Sequence, residues 1–284
     1  MQKTSVALGL FDGVHLGHRA VLQEAKKSDF IPVVFTFPAE TAVRKNSGGY
    51  IYSSHTRNFI LNHDFKFQVA CMDFEQLRNL SGEAFAEKIL CQELHASHVT
   101  CGYDFKFGYH ASCNIEDLKN FGKKFHFTVK LVNAVKQDKQ IISSTEIRKL
   151  LLAGEIEKAN TFLGMPYFIL EKVSHGAQLG RTIHFPTINQ VFHENQLVPK
   201  FGVYASQTRT PDGKYYHSIT NIGIKPTVNY NGLPLAETYI KNFSGDLYDK
   251  NLQVRLLKFI RPEMKFDSVQ ALTKQMQEDL KFCY

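Results

Sequence analysis

The stretch Gly9-Leu10-Phe11-Asp12-Gly13-Val14-His15-Leu16-Gly17-His18 decides how the first half of this chain folds. The apolar residues 6–10 are typical of a buried strand, and residues 19–27 have the composition of a helix. The stretch is therefore predicted to be a glycine-rich turn that joins a strand to a helix. Because the first N–H groups of a helix are unpaired and the helix dipole adds positive charge there, such a turn binds phosphate well.

Two glycines and two histidines occupy this one turn. Gly13 and Gly17 allow the backbone to approach a ligand closely, and His15 and His18 offer donors to phosphate oxygens. The alternative is a tight turn in which both histidines form only local hydrogen bonds. The combination of residues favours the phosphate site.

The composition is that of a globular protein. A length of 284 residues suggests two domains of about 150 residues each. We expect no transmembrane helix and no signal peptide, because apolar runs are short and the N-terminus leads directly into a strand. The five cysteines are scattered and form no CxxC pair, which argues against disulfides or zinc and fits a reducing cytoplasm; they are Cys71, Cys91, Cys101, Cys113 and Cys283.

The net charge of +7 allows two explanations, a nucleic-acid surface or sites for small phosphorylated ligands. The densest basic pairs are Lys26-Lys27 and Lys123-Lys124, and neither lies in a known nucleic-acid-binding motif. We therefore expect phosphorylated small molecules as ligands, and neither nucleic acid nor a membrane as a partner. The sequence does not predict an oligomeric state.

The first half alternates strands with helices. Residues 31–37, 98–102 and 129–132 are predicted strands, and a helix is predicted to begin at Ser81. This alternation predicts a parallel α/β sheet of Rossmann-like type, in which ligands bind at the carboxyl ends of the strands. The histidine turn and the loop that contains Asp104 both follow strands and can therefore face one site.

A second anion site is predicted where the last helix of this half begins. Ser143 and Glu146 have the spacing of a capping box, which accounts for Glu146. It does not account for Ser144, Thr145 and Arg148, which place two hydroxyls and a guanidinium at a helix start. Two such sites suit a nucleoside triphosphate that is cleaved between its phosphates. The absence of a GxxxxGK[ST] motif argues against a P-loop.

The second half consists of short β-rich segments separated by turns, beginning near residue 166. The segments predict a small antiparallel β-barrel; they are residues 167–173, 201–207, 215–221, 236–240 and 252–260. From residue 267 the apolar residues have helical spacing, which predicts a C-terminal helix packed on the barrel. We therefore expect domains at residues 1–165 and 166–284.

A glycine-containing loop and a pair of neutral oxygens follow the first barrel segment. Gly176, Gly180 and Arg181 indicate a loop shaped around a ligand, and Thr187 and Asn189 supply oxygens two residues apart. Mg²⁺ takes few protein oxygens and keeps phosphates and waters as its other ligands. By itself this pattern is weak, and an ordinary turn is the simpler interpretation.

The first half resembles the FAD synthetase module of bacterial bifunctional riboflavin kinase/FAD synthetases, which are nucleotidylyltransferases with an HxGH motif. The resemblance rests on residues 9–18, on GYDFKFG at residues 102–108 and on SSTEIR at residues 143–148. It implies that FMN attacks the α-phosphorus of ATP and that pyrophosphate leaves. His15 and His18 would stabilise phosphate charge, and Ser144, Thr145 and Arg148 would hold the β and γ phosphates. The implied nucleotide or flavin contacts also include Gly9, Phe11, Asp12, Gly13, Gly17 and Asp104.

Two features depart from that module. The family carries a TF(D/E)PHP-like segment after its second strand, whereas Thr36-Phe37-Pro38-Ala39-Glu40 lacks the histidine. Cys113 stands where the family tends to have glycine. Both departures concern flavin affinity or the efficiency of adenylylation, and not the identity of the module.

The second half resembles the riboflavin kinase module of the same family. The resemblance rests on PTIN at residues 186–189, on NIGIKPT at residues 221–227 and on Glu237. It implies that Gly176, Gly180 and Arg181 contact ATP, that Thr187 and Asn189 bind Mg²⁺ with its phosphates, and that Glu237 accepts the proton of the ribityl 5′-hydroxyl. Ile183-His184-Phe185 replaces the family's leucine-glycine-phenylalanine, which predicts a stiffer flap.

The resemblance covers nearly the whole chain and implies a cytoplasmic enzyme that acts on riboflavin, FMN, FAD and ATP with Mg²⁺. Three alternatives remain. The first is a riboflavin kinase whose other module has decayed, and the second is a flavin- or nucleotide-binding regulator without turnover. The third is a basic nucleic-acid-binding protein.

Overall fold

The computed structural model describes residues 2–42, 48–174, 185–224 and 232–282. The chain divides into two compact units, residues 1–146 and 147–284. The predicted boundary near residue 165 stays a prediction. No helix among the described residues is both long enough and apolar enough to cross a membrane.

The first unit is built on a parallel sheet of five strands, as the alternation of strands and helices predicts. In chain order the strands are β1 (Thr4–Leu8), β2 (Ile31–Thr36), β3 (Gln68–Cys71), β4 (Ala96–Gly102) and β5 (Thr128–Val132). Their order across the sheet is β3-β2-β1-β4-β5. Every residue of the central strand β1 is buried, which is typical of a parallel sheet covered on both faces.

Helices and short turns connect these strands. The helices are α1 (Leu16–Ala25), α2 (Ala39–Ala42), α3 (Ser54–Phe59), α4 (Phe74–Leu77), α5 (Gly82–Ala84) and α6 (Ile115–Phe125). The helix α3 continues as a π-helix over Ile60–Asp64, and α5 continues as a π-helix over Phe85–Glu93. Shorter elements are a 3₁₀ turn at Tyr109–Ala111 and a hairpin of β6 (Lys136–Gln137) and β7 (Gln140–Ile141).

The sequence missed some of these elements. Strand β3, helix α2 and the start of α3 were not predicted. Helix α1 begins at Leu16 rather than near residue 19, because the side chain of His15 accepts the N–H of His18 and caps the helix earlier. The predicted helix start at Ser81 is confirmed, since its hydroxyl accepts the N–H of Ala84 at 3.1 Å.

The second unit is an antiparallel sheet of six strands with flanking helices. Its strands are β8 (Phe168–Lys172), β9 (Thr187–Val191), β10 (Gly202–Arg209), β11 (Tyr215–Gly223), β12 (Leu235–Ile240) and β13 (Asn251–Arg261), in the order β8-β13-β10-β11-β12-β9. The edge strands approach each other, because the N–H of Ser174 donates to the carbonyl of Asn189 at 2.9 Å. The sheet is therefore a nearly closed barrel, as the sequence predicts, although β9 was expected to be a loop.

Three helices accompany the barrel among the described residues: α7 (Ser144–Ala153), α8 (Ile156–Leu163) and α9 (Val269–Asp279), the last followed by a 3₁₀ turn at Leu280–Phe282. On α8 the amide of Asn160 donates to the carbonyl of Leu256 at 2.9 Å and accepts the N–H of Tyr167 at 2.7 Å. On α9 the buried Asp279 forms an ion pair with Arg261 at 2.8 Å. The C-terminal helix is thus held on the barrel, as predicted.

A row of buried hydroxyls crosses three strands of the barrel. Ser206 bonds to Ser218 at 2.9 Å and to Thr220 at 2.8 Å, while Thr208 donates to Ser218 at 3.0 Å and Thr220 bonds to Thr238 at 2.9 Å. Because each hydroxyl has a partner, the row avoids the cost of burying polar groups.

Candidate active sites

The histidine turn has an unusual backbone. Phe11, Gly13 and Val14 have φ values of 54°, 85° and 43°, which lie in the left-handed region that glycine tolerates best. Phe11 and Val14 are fully buried, so their packing compensates for the strain. The backbone is also held from α1, since Arg19 Nε donates to the carbonyl of Val14 at 3.1 Å. The turn is therefore rigid.

The rings of His15 and His18 are stacked, with centroids 3.6 Å apart and planes inclined by 18°. The backbone N–H of His18 donates to Nδ1 of His15 at 3.3 Å. Since Nδ1 of His15 accepts this bond, neutral His15 carries its proton on Nε2. Gly17 makes room for the ring, because a β-carbon there would lie 3.0 Å from Cε1 of His15.

Burial lowers the pKa of His18 well below its usual value, and the positive charges of His15 and Arg57 lower it further. His18 is therefore neutral at pH 7. Its buried Nδ1 has no hydrogen-bond partner among the described residues, so no group there determines which nitrogen carries the proton. An anionic ligand would counteract the causes of the low pKa.

Asp12 joins the turn to two other segments. Its carboxylate is buried and accepts the N–H groups of Ile51 at 2.8 Å and Tyr52 at 3.4 Å. Its carbonyl oxygen accepts the hydroxyl of Ser144 at 2.8 Å. The two predicted phosphate sites, the histidine turn and the start of α7, are therefore in direct contact. At that start the N–H of Glu146 donates to Ser143 Oγ at 3.3 Å, as the capping pattern predicts.

A cavity of 1020 Å³ opens at the carboxyl ends of the parallel strands. It is large enough for a nucleotide with a second ligand. The predicted site residues that line it are Gly9, Phe11, His15, Gly17, His18, Asp104, Ser144 and Thr145. Asp12 and Gly13 are not among its lining residues, and neither is Arg148, which lies one turn into α7.

The cavity lining is rich in aromatic side chains, which the sequence did not predict. Besides Phe11, the rings that line it are Phe35, Phe37, Phe74, Phe85, Phe105, Phe107, Tyr103 and Tyr109. Phe37 contacts Phe74 edge to face at 5.3 Å, and Phe105 stacks on Phe107 at 5.7 Å. Tyr103 and Tyr109 are about half exposed at 48% and 50%. The abundance of phenylalanine was visible in the sequence, but its convergence on one cavity was not.

The segment without the family's histidine has a different polar network. The carboxylate of Glu40 accepts the N–H of Ser54 at 2.8 Å and also the Ser54 hydroxyl. The Ser54 hydroxyl in turn accepts the N–H of Ala39 at 2.8 Å. These bonds connect α2 with the start of α3, next to the turn.

Cys113 packs against Gly82 beside the cavity loop. Cys113 forms a backbone bridge with Phe107, and a β-carbon on Gly82 would overlap Cys113 Sγ. The cysteine side chain thus occupies the space that Gly82 leaves free.

In the second unit, register brings three predicted site residues together. Glu237 on β12 is paired with Asn189 on β9 and with Asn221 on β11, and Thr187 is paired with Tyr239. Directly paired residues and residues two apart share one face of a sheet. Thr187, Asn189 and Glu237 therefore lie on one face. Gly176, Gly180, Arg181 and the segment 225–231 are outside the described residues, as is the flap at 183–184.

The described part of the chain contains no cluster of three or more His, Cys, Asp or Glu side chains that could hold a metal ion. Thr187 and Asn189 are not of these four residue types and supply neutral oxygens instead.

Comparison with known proteins covers both units. Residues 1–146 match the family model described as FAD synthetase, and residues 163–284 match the model described as riboflavin kinase. A crystal structure described as a macrolide-efflux protein from Streptococcus pneumoniae has a TM-score of 0.84 and 29% identity, covering 100% of this chain and 94% of that one.

Curated relatives match along nearly the full length. The bifunctional riboflavin kinase/FMN adenylyltransferase of Listeria monocytogenes is 34% identical, over 96% of this chain and 89% of the relative. The enzyme of the same name from Haemophilus influenzae is 34% identical, over 99% and 93% respectively. The chain belongs to the family of bifunctional riboflavin kinase/FMN adenylyltransferases.

Proposed function

We propose that this chain phosphorylates riboflavin with ATP to give FMN in its second unit, and adenylylates FMN with a second ATP to give FAD and pyrophosphate in its first unit. The observation that carries the proposal is the pairing of both site types in one chain. A cavity holds the histidine turn and the start of α7, and one face of the barrel holds Thr187, Asn189 and Glu237.

The polar residues that line the cavity suit the triphosphate of ATP. His15 and His18 lie at the start of α1, where N–H groups and the helix dipole attract anions, and Ser144 and Thr145 lie at the start of α7. Arg148 follows one turn later and would add a guanidinium to the β and γ phosphates. Gly9, Phe11, Asp12 and Gly13 shape the turn, and Asp104 would contact the nucleotide or flavin from the opposite loop.

The aromatic residues that line the same cavity suit the isoalloxazine ring of FMN, because flat apolar rings stack well on phenylalanine and tyrosine. With both substrates bound, the FMN phosphate would attack the α-phosphorus of ATP. Positioning and charge stabilisation are sufficient for this step, so that no protein nucleophile is required.

In the barrel, Glu237 would accept the proton of the ribityl 5′-hydroxyl as that oxygen attacks the γ-phosphorus of ATP and ADP leaves. Mg²⁺ fits the neighbouring residues, because the neutral oxygens of Thr187 and Asn189 leave coordination positions for phosphates and water. The ion would neutralise phosphate charge. Gly176, Gly180 and Arg181 remain proposed ATP contacts. The proposed location of the enzyme is the cytoplasm.

Chromatography of the products from riboflavin, ATP and Mg²⁺ tests the proposal. FMN followed by FAD supports it. FMN alone favours the alternative of a kinase whose adenylylation site has decayed. The decay would then be connected with the segment that lacks the family's histidine, where Glu40 contacts Ser54 instead. Binding of flavin or ATP without any product favours a regulator.

A further inference from the structure

Arg57 on α3 is the largest fully buried side chain of the described protein, with 0% of its surface exposed. Nη1 donates to the carbonyl of Leu10 at 3.0 Å, and Nη2 donates to the carbonyl of Phe37 at 2.7 Å. Longer contacts reach Asn58 Oδ1 at 3.4 Å and Cys71 Sγ at 4.0 Å. The guanidinium is therefore surrounded by neutral acceptors.

These acceptors lie at the carboxyl ends of three adjacent strands. Leu10 follows β1, Phe37 follows β2, and Cys71 ends β3. The carbonyl oxygen of Leu10 also accepts a hydrogen bond from the hydroxyl of Thr36 at 3.1 Å. Since Phe11 begins the left-handed part of the histidine turn, the fork of Arg57 fixes the point at which that turn leaves the sheet.

No carboxylate forms an ion pair with Arg57 among the described residues. A buried charge is normally paired with an opposite one, because desolvation of an ion is costly. Burial lowers the pKa of Arg57, and Cys71, Asp12 and Glu40 offset only part of this shift. The carboxylate of Asp12 is engaged by Ile51 and Tyr52, and that of Glu40 by Ser54.

The positive charge of Arg57 acts on His18, which lines the cavity. Burial lowers the pKa of His18 most, and the neighbouring His15 and then Arg57 lower it further. Arg57 itself does not line the cavity, so it acts on the ligand through the turn and through its electrostatic field. A triphosphate at the turn would supply the negative charge that the protein does not place beside Arg57.

We propose that Arg57 is a positioning residue of the adenylylation site, which holds the carbonyls that end β1 and β2 in place and uses bound ATP as its counter-charge. The proposal rests on the proposed FMN adenylylation and adds a residue that no motif of the sequence indicated.

The test compares R57K, R57M and T36V in the full chain. R57K keeps the charge but loses the planar fork, R57M loses both, and T36V removes only the second donor to Leu10. We expect kcat for FMN adenylylation to fall about 100-fold in R57M and about 10-fold in R57K, because small displacements of reacting groups are costly. T36V should lose less. Riboflavin phosphorylation takes place in the second unit and should be unchanged. It therefore serves as the control for enzyme concentration, independently of any change in the first unit.

A second readout separates positioning from a purely structural role. Histidine-selective NMR measures the pKa of His18, on which His15 and Arg57 act. We expect this pKa to rise in R57M and to stay low in R57K, and we expect weaker ATP binding by isothermal titration in R57M.

Full adenylylation activity in folded R57K or R57M would overturn the proposal. If R57M does not fold, R57K decides; if neither variant folds by circular dichroism, Arg57 has a structural role and the proposal is wrong. Failure of the wild-type chain to form FAD would instead refute the proposed function. ATP affinity and the His18 pKa would then still decide whether Arg57 positions an ATP site.

Discussion

The hydroxyl of Ser144 donates a hydrogen bond to the carbonyl oxygen of Asp12 at 2.8 Å and so connects residues 132 positions apart in the chain. Asp12 lies in the histidine turn, and Ser144 begins α7. The bond fixes the distance between two helix starts that both face the cavity. A single triphosphate can contact both helix starts only if the distance between the two starts is constant.

We therefore predict that S144A lowers kcat/KM for FMN adenylylation by about 10- to 100-fold, because it releases this bond and misplaces the phosphates. The assay is FAD formation from FMN and ATP. The matched control is S143A, which removes only the helix cap on Glu146 and should affect stability more than turnover. Equal loss of activity in both variants would contradict the prediction.

The low pKa of His18 makes stability depend on pH. Below its usual pKa of about 6.5, the unfolded chain binds a proton at His18 that the folded chain does not bind, so that stability falls as pH decreases. The loss begins near pH 6.5 and continues down to the pKa of folded His18. Urea unfolding at several pH values should show a shallower decline in H18Q than in wild type.

His98 acts in the same direction, since burial also lowers its pKa. H18Q should therefore reduce the decline without abolishing it. An identical slope in wild type and H18Q would show that folding does not lower the pKa of His18. Addition of ATP should raise the pKa of His18 in wild type, because phosphate charge favours the imidazolium.

The two activities should separate by mutation. E237Q removes the proposed proton acceptor on β12 and should lower FMN formation by about 100- to 10,000-fold, as expected for loss of a general base. Conversion of added FMN to FAD should be unchanged, because none of the described residues that line the cavity of the first unit belongs to the barrel. The matched variant H18A should show the reverse pattern. Parallel loss of both activities in either variant would contradict independent sites.

Gly82 and Cys113 should be coupled. G82A places a β-carbon against Cys113 Sγ and should destabilise the first unit by about 1–3 kcal/mol, as overpacking does. C113G should restore most of that stability in the double variant, since it removes the opposing side chain. Chemical denaturation of the four proteins of the cycle gives the coupling energy. Additive effects would show that the two side chains do not compete for this space.

Several parts of the fold and site were predictable because they depend on neighbours in the chain. The strand, glycine turn and helix around His15 and His18 are local, and so is the helix start that carries Ser144 and Thr145. Alternating short strands indicated the barrel. Strand β9 was missed because PTIN combines a proline with polar residues. These residues form a strand because pairing with β12 satisfies their backbone hydrogen bonds.

The relationships that organise the sites depend on residues far apart in the sequence. The pattern of residues 54–59 contains nothing that marks Arg57 as buried; only the meeting of three strand ends supplies its acceptors. Likewise, the contact of Ser144 with Asp12 and the register of Asn189 with Glu237 follow from packing. The sequence by itself determined the two folds, the family and the residue types of each site. The tertiary structure decided which of those residues meet, because long-range contacts arise only when the whole core excludes water.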